Sequence, residues 1–326
     1  MEIKKRYAFY NYYLTLLTIR FTKKFKTYTT YRKYKEGDSF MIKLIVSDLD
    51  GTIIDHHHTV AKENLKAIND LQKSHLPFVI CTGKTYAISK SFCQDFHAQF
   101  GIFGNGSEIM NLKTGEEIDK KTLSLSAIQT CLSIASTHHL HVHAYTVDSI
   151  LTQNLLYLDL RNSLLFPNQI YIQKVDDLQT FIKTKKPDIL KIVFSSESDL
   201  SIVKAELESQ TNLSICYIRK YGHYKDQIIH KEYGYLDISP PLVSKGSALK
   251  TLSHYLQINK DEILSVGDNL NDLDMLQNSG IGIAVASAYE EVKQVATYTT
   301  TCSVENGAFA EAVYRFIPFE SNSNLT

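Results

Sequence analysis

Two aspartates that follow a short apolar run are the first residues in this chain whose type and spacing suggest chemistry. The run MIKLIVSDLDGT occupies residues 41–52, and its apolar part stops at Asp48 and Asp50. Side chains alternate along an extended segment, so both carboxylates are expected on one side, where they repel each other unless a cation or a proton lies between them. The plainer alternative is a strand followed by an acidic turn, because Asp and Gly are common turn residues.

Three further polar turns accompany segments that are typical of strands and helices. They are Thr82-Gly83-Lys84 after the apolar segment 78–81, Ser244-Lys245-Gly246 at the start of a predicted helix, and GDNLND (267–272) after the apolar segment 263–266. Parallel strands bring their carboxyl ends to one edge of the sheet, and α/β proteins bind ligands beyond that edge. We therefore expect all four turns to meet around one small ligand.

The charge balance of these turns predicts what the ligand is. Four carboxylates (Asp48, Asp50, Asp268 and Asp272) against the ammonium of Lys245 would form a strongly negative pocket, which is costly unless a divalent cation fills it. Ligands that are all oxygen, with no clustered Cys or His, favour Mg²⁺. With that cation bound, a phosphate dianion can approach the hydroxyl of Thr82, the ammonium of Lys245 and nearby backbone amides, which is the cradle that phosphoryl transfer requires.

The elements that must position these turns alternate between strands and helices. Strand, helix, strand, helix, strand over residues 42–104 is typical of a doubly wound parallel sheet. From about residue 118 to 235 the polar strand-end turns disappear, although helix and strand patterns continue. We predict an α/β fold in which a Rossmann-like parallel-sheet core, residues 41–117 and 236–326, carries an inserted α+β domain at 118–235.

Composition and charge exclude several classes of protein. No apolar run approaches the roughly 20 residues that cross a bilayer. The five cysteines are scattered and lack C-x-x-C spacing, which argues against a disulfide framework or a zinc site and predicts a cytoplasmic protein with reduced thiols. Residues 1–40 contain ten Lys or Arg and three Asp or Glu, whereas the remainder contains 25 and 32. A mildly acidic body is a poor nucleic-acid binder.

The basic segment at residues 1–40 stands apart from the rest of the chain. Its lysines and arginines are interleaved with tyrosines, a composition that can bind RNA or an anionic membrane surface. The alternative is a disordered extension or translated upstream sequence, because Met41 stands immediately before the first strand. We predict the disordered extension.

The four motifs, in this order and at these strand ends, resemble those of the haloacid dehalogenase superfamily. They are DLDGT at 48–52, TGK at 82–84, SKG at 244–246 and GDNLND at 267–272. The insertion between the second and third motifs resembles the type IIB cap of the Cof-like sugar-phosphatase branch. GNGSEI at 104–109 is similar to the Asn-Gly turn that precedes the cap in that branch. The resemblance covers about residues 41–316.

The resemblance implies two catalytic residues. Asp48 would be the nucleophile that forms an aspartyl-phosphate, and Asp50 would protonate the leaving oxygen and then activate water. The acid at position 50 favours hydrolysis of phosphate esters or a mutase, because family ATPases usually carry Thr there and the dehalogenases lack that Asp. Lys84 stands where Arg is common in the branch, which is a departure at a cap or substrate contact.

The resemblance also implies the binding residues of the site. Those that would bind the phosphoryl group are Thr82, Gly83, Lys245 and Asn271, and Asn271 would orient either the phosphate or Asp48. Those that would hold Mg²⁺ are Asp48, Asp268 and Asp272, together with the backbone carbonyl of Asp50.

The predicted function is a Mg²⁺-dependent phosphatase of small phosphorylated metabolites, such as sugar phosphates or cofactor-type phosphates. Two alternatives are compatible with the same residues. One is a phosphomutase of the phosphomannomutase type. The other is a protein that binds nucleic acid or a membrane through residues 1–40 and carries a vestigial phosphatase body.

Overall fold

The fold is that of a computed structural model, which describes residues 41–154, 171–221 and 232–319. The predicted extension at residues 1–40 lies outside these ranges. Within them, every helix is too short or too polar to pass through a lipid bilayer.

Fourteen strands and nine α-helices occupy the described ranges. The strands are β1 (Leu44–Ser47), β2 (Phe78–Cys81), β3 (Phe100–Phe103), β4 (Glu108–Asn111), β5 (Glu116–Lys120), β6 (His141–Tyr145), β7 (Ser149–Thr152), β8 (Tyr171–Lys174), β9 (Lys191–Ser196), β10 (Ser214–Tyr221), β11 (Glu232–Ser239), β12 (Ile263–Gly267), β13 (Ile281–Ala284) and β14 (Tyr298–Thr299). The helices are α1 (Lys62–Lys73), α2 (Tyr86–Asp95), α3 (Leu125–Thr137), α4 (Leu178–Lys185), α5 (Ser201–Gln210), α6 (Lys245–Leu256), α7 (Leu273–Gln277), α8 (Glu290–Val295) and α9 (Ala308–Phe316).

β1 lies at the centre of an eight-stranded sheet with the order β14-β13-β12-β1-β2-β3-β4-β5. It pairs in parallel with β2 and β12, and Ser47 is level with Val266 of β12. These three strands are buried along their whole length, which is the pattern of parallel strands covered on both faces. The turns that carry Asp48, Thr82 and Asp268 therefore leave the sheet at the same edge.

One apolar cluster joins this sheet to its helices. The buried residues of α1 include Ile68 and Leu71, whose spacing places them on one face of the helix. α9 lies against α1, and Asn64 of α1 accepts a hydrogen bond from the backbone N–H of Ala310 through its side-chain oxygen at 3.0 Å. The predicted doubly wound α/β core is confirmed, with the antiparallel hairpin β4–β5 added at one edge.

The remaining six strands form a smaller sheet in the order β10-β11-β9-β6-β7-β8. All of its pairs are antiparallel except β7 with β8. A second apolar cluster joins this sheet to α3, α4 and α5, with Ile134, Leu178 and Leu207 among the helix residues and Phe194 in β9. These elements alternate as predicted for the inserted region.

Two predicted boundaries differ from the strand pairing. β5 belongs to the larger sheet and ends at Lys120, beyond the predicted limit at residue 117. β11 belongs to the smaller sheet as far as Ser239, whereas the core was predicted to resume at residue 236. Leu236 and Ile238 are buried in the second cluster, and an alternating pattern does not tell which sheet a strand joins. The division into core and inserted domain stays a prediction.

Candidate active site

Three carboxylates converge where β1 and β12 end. One oxygen from each of Asp48, Asp268 and Asp272 lies within 4.8 Å of the others. Asp48 directly follows β1, Asp268 directly follows β12, and Asp272 directly precedes α7. The structure therefore brings together three of the predicted metal ligands from segments more than 200 residues apart in the chain.

A fully buried lysine holds two of these carboxylates. Lys245 Nζ lies 2.7 Å from Asp48 Oδ1 and 2.6 Å from Asp272 Oδ1. Lys245 is the first residue of α6, and a capping box fixes this helix start, since Ser244 Oγ accepts from the N–H of Ser247 and Ser247 Oγ accepts from the N–H of Ser244. The cap satisfies amides that would otherwise lack a partner in the first turn, and so determines where the lysine side chain leaves the helix.

The electrostatics of the cluster show an excess of negative charge. Burial raises the pKa of Asp48 to about 6, with Asp272 adding to the rise and Lys245 opposing it. Burial also raises the pKa of Asp268 well above its ordinary value, helped by Asp48 and Asp272. Burial by itself would lower the pKa of Lys245, but Asp272 and Asp48 raise this pKa well above its usual range. One ammonium among three carboxylates leaves the site short of positive charge.

The donor set fits a hard divalent cation. Asp268 Oδ1 accepts a hydrogen bond from Thr52 Oγ1 at 3.0 Å, and Asp272 Oδ2 accepts from the backbone N–H groups of Asp268 and Asn269, each at 3.0 Å. Gly51 has φ of 81°, and a Cβ at this position would collide with the Asp268 carboxylate. The carboxylates are thus held in place by neighbours, and an all-oxygen set of this kind suits Mg²⁺ or Ca²⁺.

Asp50 has a lysine of its own. Its carboxylate accepts a hydrogen bond from Lys84 Nζ, and the Asp50 side chain is 44% exposed. Asp50 is close enough to Asp48 to contribute to the raised pKa of that group. Two carboxylates separated by one residue are therefore each paired with a different lysine, Asp48 in the buried cluster and Asp50 at its rim.

Thr82 and Gly83 form the turn after β2, next to the strand that carries Asp48. Thr82 is buried, and its Oγ1 accepts a hydrogen bond from the backbone N–H of Lys84 at 3.2 Å. Gly83 lies against the side chain of Asn105, whose Oδ1 would be 3.0 Å from a Cβ on the glycine. The turn thus reaches the same edge of the sheet as the carboxylate cluster.

Asn271 is joined to residues that the sequence did not assign to the site. Its Nδ2 donates to Asn105 Oδ1 at 2.9 Å, and Asn105 Nδ2 donates to Asp237 Oδ2 at 3.0 Å. Lys191 Nζ donates to the same oxygen of Asp237 at 2.5 Å. The Asn-Gly turn at 105–106 was the available signal for Asn105. Asp237 and Lys191 carry no local signal, because only the pairing of β9 with β11 brings them together.

The segment that contains this site is similar to known proteins. A family model described as haloacid dehalogenase-like hydrolase matches residues 45–313. The chain is 25% identical over 279 residues to a Bacillus subtilis (strain 168) protein named 5-amino-6-(5-phospho-D-ribitylamino)uracil phosphatase YcsE, covering 85% of this chain and 96% of that relative. It is 27% identical over 301 residues to an Arabidopsis thaliana protein named chloroplastic endoribonuclease YBEY, covering 86% of this chain but only 48% of that relative's length.

A solved structure shows the same fold. A haloacid dehalogenase-like hydrolase from B. subtilis has a TM-score of 0.71 and 24% sequence identity, and the match covers 85% of this chain and all of that one (100%). All four motifs, from residue 48 to residue 272, lie inside the segment that the family model matches. The chain therefore belongs to the haloacid dehalogenase-like hydrolases, in the Cof-like branch with a type IIB cap.

Proposed function

We propose that this protein is a Mg²⁺-dependent phosphatase that hydrolyses small phosphorylated metabolites through an aspartyl-phosphate on Asp48. The observation that carries the proposal is the meeting of Asp48, Asp268 and Asp272 around the buried ammonium of Lys245. Burial of three carboxylates with one ammonium is costly. A bound cation would offset the carboxylates, and the ammonium of Lys245 would face the phosphoryl group.

In the first step a carboxylate oxygen of Asp48 attacks phosphorus. The ion pair with Lys245 holds Oδ1 of Asp48, so the second oxygen is the one available as the nucleophile. The bond from phosphorus to the ester oxygen breaks as the aspartyl-phosphate forms. Asp50, which is protonated at this stage and released from its ion pair with Lys84, gives its proton to the departing oxygen, which leaves as an alcohol.

In the second step water releases the phosphate. Asp50, now ionised, takes a proton from a water molecule whose oxygen attacks phosphorus, and the bond between phosphorus and Asp48 breaks. Inorganic phosphate leaves and the Asp48 carboxylate is regenerated. The half-exposed position of Asp50, paired with Lys84 at the rim, supports a role in which it faces both the leaving group and solvent.

The residues that would hold Mg²⁺ are Asp48, Asp268 and Asp272, with the backbone carbonyl of Asp50. When bound, Mg²⁺ supplies positive charge that offsets the carboxylates and the phosphate dianion. Thr82, Gly83 and Lys245 would bind the phosphoryl oxygens, since the turn after β2 and the start of α6 both lie at the edge where β1 ends.

The proposed substrates are sugar phosphates or cofactor-type phosphates. The relative YcsE is named for a substrate in which phosphate is attached to a ribityl group, and this supports a polyol or sugar phosphate for the present chain. We propose that the smaller sheet and its helices act as the cap that selects the substrate, because Asp237 and Lys191 of this sheet reach the site residue Asn271 through Asn105.

The test is phosphate release from a panel of phosphorylated metabolites and p-nitrophenyl phosphate, with Mg²⁺ and with excess EDTA. Wild type should turn over only with the metal, and Asp48→Asn should be inactive. Asp95→Asn, which changes an exposed aspartate on α2, is the matched control and should keep full activity. In acid-quenched reactions with phosphate-labelled substrate, label should stay on the wild-type protein and be absent from Asp48→Asn. Equal turnover by Asp48→Asn would refute the mechanism.

A further inference from the structure

A continuous chain of polar side chains joins the smaller sheet to the motif that carries Asp268 and Asp272. It runs from Lys191 to Asp237, then to Asn105 and Asn271, with distances of 2.5, 3.0 and 2.9 Å. Lys191, Asp237 and Asn105 are each buried, with exposed fractions of 6 to 7%. Buried polar groups at these distances specify one arrangement, because an alternative would leave a charge or an amide unpaired.

The chemistry of Asp237 dictates which way the next amide points. A carboxylate paired with an ammonium can only accept hydrogen bonds. The atom of Asn105 that faces Asp237 must therefore be its NH₂ group, and the carbonyl oxygen Oδ1 must face Asn271. With the amide reversed, the Asn105 oxygen would meet the Asp237 carboxylate, and two acceptors at that distance repel.

The orientation of Asn105 in turn determines that of Asn271. Because Asn105 offers an oxygen, Asn271 must turn its NH₂ group towards Asn105. The other side-chain atom of Asn271, its Oδ1, is buried and accepts no hydrogen bond from the residues that the structure describes. The NH₂ group carries two hydrogens, so Asn271 donates one to Asn105 and keeps the second for a phosphoryl oxygen.

We propose that Asp237 is a positioning residue that sets the orientation of the Asn105 and Asn271 amides, so that the second N–H of Asn271 is available to a phosphoryl oxygen. The inference rests on the proposed function for its effect on turnover. Asn271 then donates to a phosphoryl oxygen beside Thr82 and Lys245. Asp237 belongs to the smaller sheet, so the inserted region helps to build the site as well as cover it.

Asn105 is suited to this position by its backbone as well as its side chain. Its φ is 57°, in the left-handed region that Asn tolerates better than most residues. Its backbone N–H donates to the carbonyl oxygen of Thr82 at 3.1 Å, which ties the amide to the phosphate-binding turn. Lys191 has a second partner in the ring of Tyr145, 5.0 Å from Nζ to the ring centre.

Two substitutions of nearly equal size separate positioning from plain structural support. Asp237→Asn and Asp237→Leu both remove the charge that pairs with Lys191. In Asp237→Asn, however, Lys191 holds the new side-chain amide with its oxygen in the position that Asp237 Oδ2 occupies. Asn105 therefore still has an acceptor for its NH₂ group. In Asp237→Leu no acceptor remains, and the amides of Asn105 and Asn271 can turn over.

We expect kcat for phosphate release to fall about 10- to 100-fold in Asp237→Leu and to stay within about threefold of wild type in Asp237→Asn, with KM changing less than kcat in both. If the two variants lose activity equally, the chain of polar side chains is only structural support and the proposal is refuted.

Should Asp237→Leu fail to fold because Lys191 is left unpaired, Lys191→Met combined with Asp237→Leu removes the acceptor and the buried ammonium together. The expected fall in kcat is again about 10- to 100-fold. A folded double variant that keeps the kcat of wild type contradicts the proposal.

A readout that needs no catalysis separates this inference from the proposed function. The side-chain NH₂ signals of Asn105 and Asn271 in ¹⁵N–¹H spectra, assigned by substitution, should exchange slowly with solvent in wild type and Asp237→Asn. They should exchange fast in Asp237→Leu. Slow exchange in all three proteins would overturn the positioning role even if the protein is a phosphatase. If the exchange rates are as expected but the protein releases no phosphate, the positioning role stands and the proposed function is rejected.

Discussion

Lys245 Nζ lies 2.7 Å from Oδ1 of Asp48, although 197 residues separate the two in the chain. The contact forms because α6 starts beside the end of β1, so that the first residue of the helix reaches the first residue after the strand. This ion pair is fully buried on the lysine side. It orients the proposed nucleophile and places a fixed positive charge where a phosphoryl group would bind.

Replacement of Lys245 by Met should lower kcat by about 10²- to 10³-fold, the usual scale for losing one preorganised donor at developing charge. The substitution removes the hydrogen-bond donor to Asp48 and takes the paired positive charge away from the buried carboxylates of Asp48 and Asp272. Lys250→Met, on an exposed position of the same helix, is the control and should behave as wild type. Steady-state hydrolysis of p-nitrophenyl phosphate measures both. A Lys245→Met protein as active as the Lys250→Met protein would contradict the assigned role.

Addition of Mg²⁺ should stabilise the folded protein, because the carboxylates of the proposed metal site are close together only in the native state. At a metal concentration 100 times the Kd, the expected gain in unfolding free energy is about 2.7 kcal/mol. Asp268→Asn should reduce the gain strongly, and Asp95→Asn should keep it. Urea unfolding with Mg²⁺ and with EDTA provides the measurement. A gain of equal size in Asp268→Asn would place the cation elsewhere.

Glu108 should make the protein less stable as the pH rises. This side chain is 2% exposed, and its Oε2 accepts no hydrogen bond from any residue in the described ranges. Burial, with a smaller effect from Glu117, raises the pKa of Glu108 from 4.5 to about 7. The folded state therefore binds a proton more tightly than the unfolded state, and the unfolding free energy should fall by about 3 kcal/mol between pH 4.5 and pH 7 through this group.

Glu108→Gln removes the titrating group, so the unfolding free energy of the variant should lack this part of the pH dependence. The variant should therefore become more stable relative to wild type as the pH rises. Glu290→Gln, whose parent side chain is 77% exposed, is the control and should follow wild type. Urea unfolding at about pH 5 and about pH 8, on either side of the shifted pKa, distinguishes them. If the unfolding free energies of wild type and Glu108→Gln change with pH in parallel, the prediction is wrong, and other groups stabilise the ionised Glu108 in the folded protein.

Leu242 occupies a strained backbone position ahead of α6. Its φ is 60° and its side chain is 87% exposed, so burial contributes little to offset the strain. Leu242→Gly should therefore stabilise the protein by about 0.5–1 kcal/mol. This is the conformational cost of a left-handed leucine minus the free energy lost because glycine makes the unfolded chain more flexible. Leu125→Gly, at an exposed leucine that begins α3, should destabilise instead. Thermal and urea unfolding measure both changes, and destabilisation by Leu242→Gly would refute the strain argument.

Several features of this protein follow from the sequence by itself, because they depend on local pattern. The apolar segment 78–81 has the same bounds as β2, and Ser244-Lys245-Gly246 marks the start of α6 as predicted. The order of the motifs indicated both the parallel sheet and the edge where the ligand would bind. The residue types at that edge, in which carboxylates outnumber lysines, indicated the charge of the ligand.

Tertiary structure decided which partners these residues have. Lys84 pairs with Asp50 and Lys245 with Asp48, and nothing in the spacing of the motifs distinguishes this from the reverse. The membership of β11 in the smaller sheet depends on its pairing with β9 and β10, and Asp237 of this strand contacts Asn105, 132 residues earlier in the chain. Strand pairing and side-chain orientation are set by long-range packing, and a local alternation of apolar residues is the same for either sheet.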